Sequence, residues 1–157
     1  MADSAVMPRQ DAQWEPTVPA LVQRLAAAGG PRLKHAFAVA GLDGIRPAQA
    51  VALVPLATGG LHASDLAERL GVSRQAVAQA VTALERHGYV TRGPNPQDAR
   101  TRIIELTPRG RQTLRVMRST ASELEASWEQ KLGQRRLGEL RATLQLLLDA
   151  PASEGDR

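Results

Sequence analysis

Apolar positions recur at helical spacing along most of the chain and at strand spacing in one short region. Between Val18 and Ala28, Leu21, Val22 and Leu25 fall on one helical face. Gly29-Gly30-Pro31 then predicts a break, because glycine is a poor helix former and proline rejects an interior helical position. A second helix is expected over Arg32–Ala40, followed by a loop over Gly41–Ile45. Pro47 suits the first turn of a further helix carrying Ala50, Leu53, Val54 and Ala57. Pro55 should kink that helix and Gly59-Gly60 should end it.

Two closely spaced helices follow. The first is expected over Ser64–Leu70, and Gly71 supplies a tight turn because its missing Cβ permits a left-handed backbone. Ser73 sits where an N-cap belongs. The next helix, Arg74–His87, turns Val77, Val81 and Leu84 inward at spacings of four and three, and Gly88 stops it. Two short strands are then predicted, Tyr89–Arg92 and Arg102–Leu106. The turn-forming stretch Gly93–Thr101 joins them as a long, polar, basic hairpin tip. Thr107 and Pro108 start another helix, in which Leu114, Met117, Ala121, Leu124 and Trp128 recur at steps of three and four. Gly133 divides it from a last helix with Leu137, Leu140, Leu144 and Leu147 in the same rhythm.

The order helix, turn, helix, hairpin is that of a winged helix-turn-helix. The expected fold class is therefore mainly α, with a two-stranded β-wing and terminal dimerisation helices. Residues 1–16 form a flexible arm in this reading, and residues 17–45 the N-terminal dimerisation helices, interrupted at 29–31. The winged region covers 46–107, the C-terminal dimerisation helices 108–150, and a disordered tail 151–157.

A helix of this kind enters the DNA major groove with its N-terminal residues against base edges. Capped by Ser73, it presents Arg74, Gln75, Ala76, Gln79, Thr82 and Arg86 outward. Glutamine pairs with adenine at two points, arginine with guanine or phosphate, and threonine or alanine touches a thymine methyl. The helix start also offers free N–H groups to a phosphate. At the hairpin tip, Arg100 and Arg102 suit the narrow, electronegative minor groove. Asp98, two residues from Arg100, is expected to hold its guanidinium by a charge-assisted bond.

Composition narrows the alternatives. In 157 residues there are 20 Lys and Arg against 16 Asp and Glu, a formal charge of +4. That balance agrees with a polyanionic partner but is weak evidence alone. The absence of cysteine excludes disulfides, thiolate metal sites and a thiol redox switch. His35, His62 and His87 lack the spacing of a zinc site, so no metal or other cofactor is expected. No nucleophile–base pair or phosphate loop marks an enzyme. The first twenty residues carry Asp3, Asp11 and Glu15 without an apolar stretch, and no run is long enough for a bilayer. A cytoplasmic protein without a membrane partner is expected.

The stretch from Asp65 to Val77 (DLAERLGVSRQAV), then Leu84-Glu-Arg-His-Gly-Tyr-Val, then Asp98-x-Arg100 followed by Leu106-Thr-Pro-Arg-Gly110, resembles the MarR family of transcriptional regulators. The wing motif is the more specific part, because many helix-turn-helix families share the first stretch. The resemblance is close over about Arg46 to Leu114. It implies a triangular, mostly helical homodimer that binds a palindromic promoter site in double-stranded DNA, usually as a repressor. It also implies release by a small aromatic or phenolic effector. Carried over, Gln75 through Gln79 and Thr82 face the major groove, and Arg100, braced by Asp98, enters the minor groove. Leu124, Trp128, Leu137, Leu140, Leu144 and Leu147 become dimerisation residues. By spacing alone that leucine stripe fits monomer core equally well. His35 and Phe37, with Trp14 and Trp128, are candidates to line a ligand cavity, against the plainer reading of packing.

The chain departs from the family habit in places. Ala78 and Gln79 stand where members often carry Ser or Thr followed by Arg. His62 stands near an N-cap position often held by Ser or Thr. A second class of function stays open at this point: an architectural DNA binder or protein-interaction module, distinguished by indifference to DNA sequence and a stable protein partner.

Overall fold

A computed structural model describes residues 15–149. The expected arm up to residue 14, with Trp14, and the expected tail from residue 151 lie outside the described residues.

Helix α1 (Val18–Val39) starts at Thr17, whose Oγ1 accepts from the Ala20 N–H at 3.4 Å. It is one helix of 22 residues with Pro31 inside it, which corrects the expected break at Gly29-Gly30-Pro31. Local propensity opposes that path by about 1 kcal/mol for each glycine and about 3 kcal/mol for the proline. Packing of α1 along the long helix α5 (Pro108–Leu132) overrides it; Gly29 lies beside Leu124 there.

Helix α2 (Pro47–Ala50) passes directly into a 3-10 segment, Val51–Thr58. The expected kink at Pro55 is thus a change of winding. Proline lacks the N–H that an α-helical turn would use there. In 3-10 winding, side chains three residues apart align, and Ala50, Leu53 and Leu56 are the buried ones.

Helix α3 (Ala63–Leu70) ends at Gly71, which holds φ 64° and turns the chain into α4 (Arg74–Arg86). Val77, Val81 and Leu84 of α4 join Leu66 and Ala67 of α3 in the core, as the spacing predicts.

The wing is an antiparallel pair, β1 (Val90–Asn95) and β2 (Asp98–Leu106). Both strands run further than the sequence predicts. The expected long tip reduces to Pro96-Gln97, because β1 is an edge strand and tolerates Pro94. Pairing runs from Val90–Leu106 to Pro94–Arg102, then jumps to Asn95–Asp98, so the chain bulges on β2 and Arg100 and Thr101 have no partner on β1 among the described residues. On the far side of β2, Leu61 exchanges two backbone bonds with Ile104.

The junction of wing and α5 explains the run Leu106-Thr-Pro-Arg-Gly. Thr107 Oγ1 accepts from the Gly110 N–H at 3.1 Å, capping α5, and lies 2.6 Å from the Gly88 carbonyl to which it donates. A Cβ at Gly110 would sit 2.2 Å from the Tyr89 carbonyl oxygen, so only glycine lets the helix approach this closely. Tyr89 is fully buried; its hydroxyl donates to the Asp43 carbonyl at 2.6 Å, and the Arg109 guanidinium lies 4.9 Å above its ring. Gly133 separates α5 from α6 (Gln134–Asp149), which contributes Leu137 as its buried residue.

Candidate nucleic-acid interface

Helix α4 is presented by its own start. Ser73 Oγ accepts from the Ala76 N–H at 3.1 Å, while helix geometry leaves the Arg74 and Gln75 N–H groups without a carbonyl partner. The sequence-predicted residues Ser73, Arg74, Gln75, Ala76, Gln79, Thr82 and Arg86 are all exposed; Gln75, Gln79, Thr82 and Arg86 lie on the side away from Val77, Val81 and Leu84, whereas Ser73 and Arg74 are exposed at the open end of the helix. Gln75, Gln79, Thr82 and Arg86 border one shallow depression together with Ala78.

Thr82 is less free than its position implies. Its hydroxyl donates to the Ala78 carbonyl at 2.8 Å and accepts from Arg92 Nη2 at 3.3 Å. Arg92 Nε also lies 3.7 Å from Glu85 Oε2. Sequence reasoning missed Arg92, which ties the wing to α4. The available signal was the spacing of Thr82 and Glu85, three residues apart on the same helical face.

Asp98 and Arg100 meet in a different way from that expected. Asp98 Oδ1 accepts from the Arg100 backbone N–H at 3.0 Å, and no ion pair engages the Arg100 guanidinium among the described residues. The corrected role of Asp98 is to fix the backbone of the bulge, as an Asx turn does. Arg100 is exposed on that bulge, next to the tip and not within it. Arg102 turns back across the hairpin, its Nη1 3.5 Å from the Arg92 carbonyl.

A second group missed by sequence reasoning lies against the tip-side half of the wing. His62 is the N-cap residue of α3 but makes no side-chain cap. Its Nδ1 lies 3.1 Å from the Arg102 carbonyl and its Nε2 3.4 Å from Asn95 Nδ2. Partners 40 and 33 residues away leave no local signal in the sequence.

Of the expected dimerisation residues, Leu137 is buried, and Leu124, Trp128 and Leu140 are half-buried. Leu144 and Leu147 are exposed, with Leu146 and Leu148 beside them, as are Val18, Leu21, Val22 and Leu25 of α1. His35 and Phe37 do not line a common cavity: Phe37 is in the core and His35 in solvent. Residues two apart on a helix point to opposite sides, so the two side chains face different surroundings in the single chain.

Helix-turn-helix and hairpin in this order define a winged helix-turn-helix, a DNA-binding fold. Residues 43–101 match the model of the MarR family. The transcriptional activatory protein BadR of Rhodopseudomonas palustris is 31% identical over 94 residues, which is 60% of this chain and 53% of that protein. The match thus spans about half the length of that relative. A MarR transcriptional regulator from Methanosarcina mazei Go1 superposes with TM-score 0.69 at 21% identity, covering 84% of this chain and 94% of that one. The transcriptional repressor CouR, solved bound to a 23-mer DNA duplex, gives TM-score 0.67 at 26% identity, covering 84% and 92%. Among the described residues no helix is long and apolar enough to cross a membrane.

Proposed function

We propose that this chain is a cytoplasmic, sequence-specific regulator of transcription that binds a palindromic site in double-stranded DNA as a homodimer. The observation that carries the reading is the placement of α4 and the wing: exposed polar residues of the helix and the exposed Arg100 belong to two elements joined through Arg92. In this reading Arg74, Gln75, Ala76 and Gln79 meet base edges in the major groove. Ser73 sets the helix start against a phosphate, and Arg86 contacts the backbone. Arg100 enters the minor groove, with Asp98 holding its backbone and Arg102 beside it. Ala78 and Gln79 give this surface less positive charge than an arginine there would.

The dimer is supported by the apolar side chains left in water. Leu146, Leu147 and Leu148 at the end of α6 are 73%, 61% and 81% exposed, and the first half of α1 exposes Val18, Leu21, Val22 and Leu25. Contiguous apolar surface of this kind marks an association site. Two copies double the base contacts, and a two-fold axis requires a palindrome. Repression is the favoured sense, as for CouR, whereas BadR is named an activatory protein.

Selection of bound duplexes from a random pool tests the reading. The expected product is a symmetric motif, with half-sites about one helical turn apart, bound in a strongly salt-dependent manner. Indifference to sequence would favour the architectural alternative.

Response to a small aromatic or phenolic acid belongs to the same proposal, and one feature supports it. A groove of about 510 Å³ between the 3-10 segment and α5 is floored by Val54, Ala57, Leu114, Met117 and Ala121 and edged by Arg115 and Arg118. An apolar floor with two guanidinium groups fits an aromatic ring bearing a carboxylate. Calorimetric titration with benzoate and hydroxycinnamates, with and without the operator, checks it.

A further inference from the structure

His62 links the start of α3 to both arms of the wing, and its bonding partners define its chemical form. The Arg102 carbonyl only accepts, so His62 Nδ1, 3.1 Å away, carries the proton. On the other side, the Gln97 N–H only donates. Its acceptor, 3.0 Å away, is therefore the oxygen of the Asn95 amide, which fixes the orientation of that amide. Asn95 Nδ2 then donates both to Thr101 Oγ1, at 3.2 Å, and to His62 Nε2, at 3.4 Å. His62 Nε2 accepts with its lone pair, so the imidazole is neutral and protonated at Nδ1. Thr101 Oγ1 in turn donates to the Asp98 carbonyl at 3.0 Å, and Asp98 Oδ1 receives the Arg100 N–H at 3.0 Å.

These bonds cover the segment that the β-ladder leaves unsupported. Arg100 and Thr101 have no partner on β1 in the register of the described residues. The side-chain bonds of Asn95, Asp98 and Thr101 hold this bulge, and His62 anchors them to α3. Its ring reaches the wing and makes no cap on α3, although a serine or threonine there would cap the helix.

We infer that His62 is a positioning residue for the wing: in its neutral Nδ1–H form it fixes the hairpin backbone from which Arg100 reaches DNA. The inference rests on the reading of Arg100 as a DNA contact. His62→Ser separates this role from a merely structural one, because serine restores the cap while removing the link to the wing. The full-length variant is expected to unfold at the same temperature as wild type or a higher one. Its affinity for the selected operator should fall by about five- to tenfold, the range of one or two net hydrogen bonds. In an Arg100→Ala background the same substitution should cost nothing further. Nitrogen-15 spectra of the wild-type imidazoles should show His62 protonated at Nδ1. An Nε2–H ring, an unchanged affinity in His62→Ser, or an equal loss with and without Arg100 would overturn the inference. If Arg100→Ala alone binds as wild type, the Arg100 reading fails. His62→Ser must then still shift the amide resonances of Gln97 and Arg100, or the link is refuted as well.

Discussion

The Arg92 guanidinium donates to the Thr82 hydroxyl across the junction of wing and α4, at 3.3 Å, while Thr82 donates its own proton to the Ala78 carbonyl at 2.8 Å. A hydroxyl has one proton to give, so this one has none for a base acceptor. Thr82→Val keeps the shape and removes the polarity. The selected DNA motif should be unchanged, and affinity should fall by less than about threefold, the low end of one hydrogen bond's net worth. A changed base preference at one motif position would return Thr82 to direct readout.

Arg92 itself offers a contrast between stability and binding. Its pair with Glu85 is 40% and 38% exposed, so its contribution to folding is small. Arg92→Ala should change the unfolding free energy by less than about 1 kcal/mol, as for other solvent-exposed pairs. Affinity for the operator should fall more than that change accounts for, because the angle between helix and wing is released. Chemical denaturation and fluorescence anisotropy on the same preparation separate the two effects.

Arg100 is the sharper test of the wing. Its guanidinium has no ion-pair partner among the described residues, so truncation breaks nothing in the free protein. Arg100→Ala should cost more than about tenfold in affinity, on the order of 1.4 kcal/mol. Sedimentation of the protein should not change. The slope of log affinity against log salt should become shallower by up to about 0.9. An unaltered affinity would remove the wing from the mechanism.

The helix-turn-helix was legible because its punctuation is local: Gly71 makes the left-handed turn and Ser73 caps the next helix within a few residues. Thr107 and Pro108 announced α5 in the same way. What the sequence misled on was decided at longer range. Gly29-Gly30-Pro31 reads as a breaker by propensity, yet packing along α5 carries the helix through. The turn formers from Gly93 onward read as a loop, but β1 is an edge strand and accepts them as strand. Asp98 beside Arg100 suggested an ion pair, and residue types alone do not distinguish a carboxylate bonded to a guanidinium from one bonded to a backbone N–H. The link through His62 was invisible because its partners lie in another element.

Gly110 turns a sequence motif into a packing constraint. An added Cβ would meet the Tyr89 carbonyl oxygen at 2.2 Å and the Leu106 side chain at 3.0 Å. Backbone does not yield as a flexible side chain does. Gly110→Ala should therefore destabilise the fold by about 3 kcal/mol, the upper end of ordinary overpacking costs. Urea unfolding followed by circular dichroism measures it. A loss under 1 kcal/mol would mean that α5 shifts cheaply away from the wing.

The two exposed apolar stretches make the proposed dimer testable without touching α4 or the wing. Leu21 is 47% and Leu147 61% exposed in the single chain, so a charge at either position costs the monomer fold little. In an interface, the same charge would be buried without a partner, which costs several kcal/mol. If the proposed dimer forms through these stretches, wild type should sediment as a dimer and Leu21→Asp/Leu147→Asp as a monomer at the same concentration, with unchanged far-ultraviolet dichroism. The monomer contacts one half-site, and its affinity for the palindrome should fall by at least about a hundredfold, while binding to an isolated half-site stays near the wild-type level. A dimer that persists would place the interface on another face. A monomer that binds the palindrome as wild type does would show that two-fold symmetry is not the basis of recognition.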